Sequence, residues 1–244
     1  MARDPKDHGW GPYWLPLLAF LLLVEASARA PEGTAPFFLP FKVAVPLALF
    51  LAYALRGRYP ELRGFRADAR VGLDVAVGVA GAALWVAPFV LFDSLRPGPE
   101  AAFDPEQLGP SRVWLTLALR ALGFALVTPF VEELFVRGWL QRYVEVYDSG
   151  ADFRDVPIGR FSWRGFLAVV VYFPATHLAW GGKEMLVAIP WAIGTTLWYY
   201  HRKHIAPLVI VHAVTNLSIF LFVVFATDRL RDAQGRPIAL WFFL

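Results

Sequence analysis

Two adjacent glutamates and an arginine lie in a stretch of this 244-residue chain that otherwise consists of apolar residues. On a helix, Glu133 and Arg137 share one face because they are four residues apart, whereas Glu132 points roughly 100° away. One carboxylate can form an ion pair while the other stays available. Charged side chains in an apolar segment are costly, so they usually pair, face a polar cavity or take part in chemistry. We therefore expect a functional site here.

Two further apolar segments carry polar residues at helical spacing. Phe173 precedes His177 by four residues, and His212 precedes Asn216 by four, so each pair shares a helix face. At 1.5 Å per residue, these positions and Glu132 lie roughly 10 to 22 Å from the cytoplasmic ends of their helices. The sequence therefore predicts that three helices direct Glu132, His177, His212 and Asn216 into one cavity that opens toward the cytoplasm.

The composition indicates a fold embedded in a membrane. Hydrophobic residues make up 57% of the chain, the mean hydropathy is +0.49, and no polar half could form a separate soluble domain. The net charge of +3 comes from basic residues in short loops, which argues against nucleic-acid binding. Because the chain has no cysteine, disulfides, thiolate metal sites and a cysteine nucleophile are excluded.

Seven apolar runs predict helices that cross a bilayer. They are residues 12–28, 37–55, 71–92, 113–147, 166–180, 185–200 and 205–226. We expect an all-α, polytopic integral membrane helix bundle with about seven to eight transmembrane helices, forming a single membrane domain over residues 1–244. Lys and Arg are about twice as frequent on the side of the N-terminus, which places residues 1–11 in the cytoplasm and the protein in the cell (inner) membrane. Pro129 and Pro174 are expected to bend or open their helices beside the cavity.

Four other charged residues lie within the predicted spans, and we expect structural roles for them. Glu25 and Lys42 would pair between the first two helices, and Asp74 would lie at a helix interface. Arg120 would face the cavity or extend to the membrane surface. A lone histidine or a Glu-Arg pair in a membrane helix is also more often structural than catalytic. Three such motifs at one depth favour a functional site.

Together the motifs resemble the CPBP family of intramembrane proteases. The motifs are Glu132-Glu133-x-x-x-Arg137, Phe173-x-x-x-His177 and His212-x-x-x-Asn216, in that order on separate hydrophobic helices. The family includes the CAAX prenyl endopeptidase of the Rce type and many bacterial Abi proteins, and the chain also resembles a bacterial branch described as CAAX prenyl protease-related. The resemblance covers residues 113–226, which would form the catalytic core. It implies an intramembrane endopeptidase that hydrolyses a peptide bond in a membrane-associated protein, CAAX-like or other.

Both the chemistry of the residues and the resemblance assign the same catalytic roles. Glu132 would act as general base on a water molecule, with His177 holding or sharing the proton. The activated water would attack a peptide carbonyl. His212 and Asn216 would donate hydrogen bonds to the oxyanion that forms.

Three further residues would support this site. Glu133 with Arg137 would fix the first helix, or Arg137 would bind a carboxylate of the substrate. Phe173, on the face of His177, would limit the access of water. The expected partners are a membrane-associated protein or peptide substrate and the lipid bilayer, and no nucleic acid.

Zinc is the alternative to a metal-free glutamate site. If a metal binds, Glu132, His177 and His212 would be its ligands, since many members of the family are described as metalloproteases. The chain has no His-Glu-x-x-His helix, and the three residues lie on three helices, so we favour a site without metal or other cofactor.

A different class of function also fits a polar cavity in a membrane bundle. The protein would then be a non-catalytic membrane binding protein, such as a bacteriocin-immunity factor or a transporter. A transporter is expected to show repeat symmetry and paired broken helices, and the sequence shows neither. The peptidase interpretation is therefore favoured.

Overall fold

The computed structural model describes residues 9–98, 101–178, 180–227, 229–232 and 234–244. Most of the predicted cytoplasmic segment 1–11 lies outside these residues. Within them the chain forms seven helices, joined by turns and short 3₁₀ segments. The helices are α1 (Gly11–Ala28), α2 (Phe38–Leu55), α3 (Arg70–Leu91), α4 (Pro110–Tyr143), α5 (Trp163–Ala175), α6 (Met185–Arg202) and α7 (Ile205–Ala226).

Five of the described helices are long and apolar enough to cross a membrane: α1, α2, α3, α4 and α7. In the described residues the only β-type pairing is an isolated bridge between Arg231 and Pro237. The predicted all-α polytopic bundle is confirmed. The sequence also predicts spans for the runs of α5 and α6, but these two helices are not among the five.

Helix α5 ends earlier than predicted. The apolar run 166–180 predicts a helix that contains His177, but the helix stops at Ala175. The carbonyl of Phe173 receives hydrogen bonds from the Thr176 hydroxyl and the His177 ring, at 2.8 Å each. Side chains thus occupy the acceptor that the next helical turn would use, and Pro174 has no N–H to contribute. His177 therefore lies in the turn after the helix.

Helix α7 lies at the centre of the bundle and packs closely against α3. A methyl group on Gly78 would lie 2.7 Å from Cβ of Val214, and one on Gly81 would overlap the ring of Trp191. The Thr215 hydroxyl donates to the Gly78 carbonyl at 2.8 Å. Small residues let two helix backbones approach in this way, and the hydroxyl adds a hydrogen bond across the contact. The close contact fixes the position of α7, which carries two of the predicted site residues.

Helix α4 carries the central motif between two π-helical stretches. The stretches are Gly123–Val127 and Leu134–Leu140, and regular helix Thr128–Glu133 lies between them. π turns are rare and occur often at functional sites. Each wider turn rotates the following residues relative to a regular helix. The rotation decides which faces of α4 the glutamates occupy.

Asp74, a charged residue within a predicted span, forms a buried ion pair between α3 and α6. Its carboxylate is fully buried and lies 2.9 Å from Nη2 of Arg202. The indole of Trp198 also donates to it, at 2.9 Å. The prediction that Asp74 lies at a helix interface is thereby confirmed.

The predicted pair between Glu25 and Lys42 is wrong. Glu25 forms an ion pair with Arg29 at 2.5 Å, one turn along the same helix and exposed. A partner four residues away is always within reach on a helix, whereas a partner on another helix requires a particular rotation of both. Lys42 forms no ion pair with any residue that the structure describes.

Candidate active site

A cavity of about 210 Å³ contains all four predicted catalytic residues. Glu132, His177, His212 and Asn216 line it together, which agrees with the prediction that three parts of the chain direct them to one place. The other lining residues are Phe20, Trp85, Arg120, Phe124, Thr128, Phe173, Glu184, Trp191, Thr215, Ile219 and Phe243. Most of these side chains are aromatic or apolar, so the cavity presents a few polar groups within an apolar wall.

The imidazole of His212 lies between the two adjacent glutamates. Its Nδ1 is 3.1 Å from Oε1 of Glu133, and its Nε2 is 3.8 Å from Oε2 of Glu132. A carboxylate accepts hydrogen bonds, so Nδ1 carries the proton and Nε2 faces Glu132. Glu132 is the more accessible carboxylate, with 23% of its side chain exposed against 5% for Glu133. Glu133 therefore orients the histidine, and Glu132 faces the cavity.

Arg137 holds the other oxygen of Glu133. Its Nε is 3.3 Å from Oε2 of Glu133, and its Nη1 donates to the hydroxyl of Thr196 at 2.9 Å. Thr195 and Gln141 accept further hydrogen bonds from the guanidinium. The predicted Glu133–Arg137 pair is thus present and joins α4 to α6.

The alternative role of Arg137 as a clamp for a substrate carboxylate is wrong. Only 2% of its surface is exposed, and it does not line the cavity. Its donors are already used within the protein, and moving it would break a buried ion pair.

The turn after α5 holds His177 in a fixed orientation. Its Nδ1 lies 2.8 Å from the Phe173 carbonyl, which is an acceptor, so Nδ1 carries the proton. The rings of Phe173 and His177 stack with their centroids 4.4 Å apart, and Trp85 contacts His177 edge-on at 5.4 Å. These contacts leave Nε2 of His177 as its functional nitrogen and cover the ring on two sides.

Asn216 joins α7 to the first π stretch of α4. Its Nδ2 donates to the carbonyl of Phe124 at 2.7 Å. An amide NH₂ group carries two hydrogens, so one remains for a group in the cavity. His212 lies one turn earlier on the same helix, as the spacing predicts.

Within the group Glu132, Glu133, Arg137 and His212, one proton shared between Glu132 and His212 gives a net charge of zero. Glu133 and Arg137 form a neutral pair, and a further uncompensated charge at this burial would be costly. Either Glu132 is protonated and His212 is neutral, or His212 is an imidazolium and Glu132 is a carboxylate. The 3.8 Å separation allows a small shift to pass the proton between them.

The arrangement does not fit a zinc site formed by Glu132, His177 and His212. Zinc needs three or four donors converging at about 2.0–2.3 Å. No three His, Asp or Glu side chains of the described residues converge in that way.

Two further charged residues line the cavity. Arg120 occupies one of the two positions that the sequence predicts for it, facing the cavity, whereas Glu184 lies outside every motif. Glu184 immediately precedes α6, and burial raises its pKa to about 7. The sequence signal that could have pointed to Glu184 as a cavity residue is its position seven residues after His177. The position of Arg120 in the cavity agrees with its spacing, since Arg120, Phe124, Thr128 and Glu132 follow one another at intervals of four.

The comparisons with known proteins bear on one segment of the chain. A family model described as type II CAAX prenyl endopeptidase Rce1-like matches residues 114–218. No curated protein and no solved structure matches the chain. The matched segment contains all three motifs, so the resemblance seen in the sequence is confirmed there. The Rce1-like family is a protease family.

Proposed function

Because residues 114–218 match the Rce1-like family, we propose that this protein is an intramembrane endopeptidase that cleaves membrane-associated protein substrates by glutamate-activated water. The observation that carries the proposal is the position of Glu132. Its carboxylate is accessible from the cavity and lies beside a histidine whose other nitrogen is held by Glu133. A general base oriented by a second and a third group is the arrangement that activates a nucleophile.

In the first step, Glu132 takes one proton from a water molecule in the cavity. The water oxygen bonds to the peptide carbonyl carbon, and the π electrons of the carbonyl move to its oxygen. His177 orients the water, since Nε2 of its neutral form is an acceptor. The sequence alone gives His177 the role of sharing the proton of Glu132. Because Nε2 of His212 lies 3.8 Å from Glu132, we assign this role to His212.

In the second step, the negative charge on the carbonyl oxygen is stabilised. The second N–H of Asn216 donates to it, and so does Nε2 of His212 when the imidazole is protonated. The carboxylate of Glu133 favours that imidazolium form. Glu132 then transfers its proton to the amide nitrogen, the C–N bond breaks, and the products are a carboxylic acid and an amine.

The surroundings of the site support this chemistry. Trp191 and Phe173 contact the ring of His212, with centroids 6.1 and 6.3 Å away. Aromatic walls exclude bulk water, which strengthens electrostatic interactions inside the cavity. The five apolar helices fit a protein embedded in a bilayer, and we propose the cell membrane with a cytoplasmic N-terminus, in one membrane domain with residues 113–226 as catalytic core.

Comparative proteomics of membrane fractions tests the proposal. Cells that carry wild type, Glu132→Gln or the control Glu25→Gln are compared for new C-terminal peptides. Glu25 is exposed and pairs only locally, so its variant matches the charge change without touching the site. We expect fragments with wild type and Glu25→Gln, and none with Glu132→Gln. Identical fractions from all three, with every variant inserted in the membrane, would favour a binding protein instead.

A further inference from the structure

One wall residue of the catalytic cavity comes from the segment that follows α7. Phe243 lines the cavity and is 7% exposed. Every other lining residue of the described chain belongs to one of the seven helices or to the turn 176–184 between α5 and α6. Beyond α7 the described residues form only an isolated bridge and the short 3₁₀ turn Trp241–Phe243. The cavity is therefore closed at Phe243 by a part of the chain that lies outside the helix bundle.

The part of this segment that precedes Phe243 is anchored in the protein. Ile238 and Leu240 are 3% and 0% exposed and belong to the apolar cluster that α3, α6 and α7 form. The N–H of Ile238 also donates to the carbonyl of Leu230 at 3.1 Å. A displacement of Phe243 would therefore begin after Leu240, and we call residues 241–244 the tip of the segment.

The tip is held in place by aromatic contacts and a loop. The ring of Phe243 lies 5.5 Å from that of Phe89 in α3 and meets it edge-on. The carbonyl of Trp241 accepts a hydrogen bond of 3.1 Å from the N–H of Phe103, in the loop before α4, and the rings of these two residues are 6.4 Å apart. Each such contact contributes little net stability. The tip can therefore leave its place while the helices keep theirs.

The same loop residue also contacts the cavity wall. The guanidinium carbon of Arg120, which lines the cavity, lies 5.6 Å from the ring of Phe103. Phe103 thus touches the tip on one side and a wall residue on the other. The tip and the loop together form the wall of the cavity at this end.

The closed cavity is too small for a peptide substrate. Its volume is about 210 Å³, whereas pockets that enclose drug-sized ligands measure about 300–1,000 Å³. A peptide cleaved beside Glu132 needs residues on both sides of the cleaved bond, and each extends over about 3.3–3.6 Å. Part of the wall must move to admit it. The tip is the wall element that can move without displacing a helix or the turn that holds His177.

We propose that the tip is a lid on the catalytic cavity and that substrate displaces Phe243 when it binds. This inference rests on the proposed peptidase function. In the closed form the benzyl group of Phe243 occupies apolar space that a substrate side chain takes in the open form. Because substrate competes with Phe243, its apparent affinity is reduced by the fraction of molecules that are open. Closure also keeps bulk water away from Glu132 when no substrate is bound.

An engineered disulfide tests whether the lid must open. The chain has no cysteine, so Phe103→Cys with Trp241→Cys introduces only the intended pair. The hydrogen bond between the two backbones brings these positions within reach of a disulfide. The control is Arg231→Cys with Pro237→Cys, at the isolated bridge inside the same segment, which leaves the tip untied. Mass spectrometry before and after treatment with TCEP verifies each disulfide.

Cleavage of an internally quenched, farnesylated CAAX peptide is then measured for both proteins, oxidised and reduced. We expect the disulfide between positions 103 and 241 to lower kcat/KM by about 10-fold or more, and TCEP to restore it. The disulfide between positions 231 and 237 should have no effect. If the protein locked at positions 103 and 241 cleaves as fast as its reduced form, the lid is refuted.

Variants of Phe243 distinguish a lid from a residue that serves only the fold. Phe243→Ala should lower KM by about 3- to 10-fold at a nearly unchanged kcat, because less of the protein is closed, and Phe243→Trp should raise KM. Phe242→Ala removes the neighbouring ring, 4.4 Å away, which does not line the cavity, and should keep the KM of wild type. A Phe243→Ala variant whose kcat falls without a fall in KM would indicate a structural role instead.

Cysteine labelling follows the lid without any cleavage. Phe243→Cys and Leu240→Cys are introduced separately into Glu132→Gln, and the rate of reaction with N-ethylmaleimide is measured with and without the CAAX peptide. We expect the peptide to accelerate labelling at position 243 by about 5-fold or more and to leave the anchored position 240 unchanged. This result would support the lid even if wild type cleaves no peptide, in which case the peptidase function fails on its own. Unchanged or slower labelling at position 243 would overturn the lid even if wild type cleaves the peptide.

Discussion

Variants of the buried pair of Glu133 and Arg137 can separate two roles of Glu133. One role is to neutralise Arg137, and the other is to orient His212. Their exposed fractions are 4% and 2%, and Nε lies 3.3 Å from Oε2. Removing one partner of such a pair leaves an uncompensated charge and costs about 3–5 kcal/mol. For a chain of this size that corresponds to a decrease in Tm of roughly 6–20 °C. We expect Glu133→Gln and Arg137→Met each to show this decrease in detergent solution.

The double variant Glu133→Gln with Arg137→Met should recover most of the stability. Replacing both partners leaves no unpaired charge, and such replacements are often close to neutral, within about 1 kcal/mol. The cleavage rate of the double variant should remain roughly 100-fold or more below that of wild type, because Nδ1 of His212 no longer faces a carboxylate. The assay is cleavage of a peptide by purified protein, with thermal unfolding measured on the same samples.

A second buried pair provides the control. Asp74 and Arg202 form an ion pair of similar burial between α3 and α6, and neither residue lines the cavity. Asp74→Asn should lower the Tm but leave the rate of folded protein near that of wild type. If the Glu133→Gln, Arg137→Met double variant regains cleavage together with stability, Glu133 serves only to neutralise Arg137. The orienting role argued for it would then be refuted.

Two further predictions concern pH and metal. Burial raises the pKa of Glu184 to about 7 from an ordinary value of 4.5, so between these pH values the folded protein keeps a proton that the unfolded chain has released. The free energy of unfolding should therefore fall by at most about 3 kcal/mol as pH rises through this window. Glu184→Gln should remove that decrease in Tm measurements from pH 4 to 8, and parallel curves for variant and wild type would contradict the argument. Because no proposed step uses a metal, cleavage should persist after treatment with excess EDTA or phenanthroline, whereas a loss that zinc restores would establish a metal enzyme.

The sequence predicted the parts of the site that depend on spacing within one helix. Glu133 pairs with Arg137, and His212 and Asn216 share a face, because residues four apart always meet on a helix. Run length likewise predicted the helices, since a bilayer requires about 20 apolar residues. The estimated depth of each residue along its helix was sufficient to predict that Glu132 and His177 line one cavity.

Contacts between helices were not predictable in the same way. The contact of Glu133 with His212 depends on how far α4 is rotated, and the π stretch Gly123–Val127, which precedes the glutamates, changes that rotation. Nothing in the composition of Gly123–Val127 marks it as a π stretch. For the same reason, which histidine lies beside Glu132 could not be read from depth alone.

The incorrect predictions have two physical causes. Glu25 and Arg137 each have a partner one turn away on their own helix. Such a partner is within reach whatever the rotation of the helix, whereas a pair between helices needs a particular rotation of both. The end of α5 was missed because the side chains of Thr176 and His177 cap the helix after a proline. The apolar run continues through that turn, but the hydrogen bonds of the helix end there.

Cleavage by purified Glu132→Gln protein tests the central claim most directly. The variant keeps the shape of Glu132 and removes its ability to take a proton, so we expect the rate to fall by about 10²–10⁴-fold with little change in Tm. Glu25→Gln should cleave as wild type does. A Glu132→Gln variant that cleaves at the wild-type rate would show that another group activates the water, and the mechanism proposed for this cavity would be wrong.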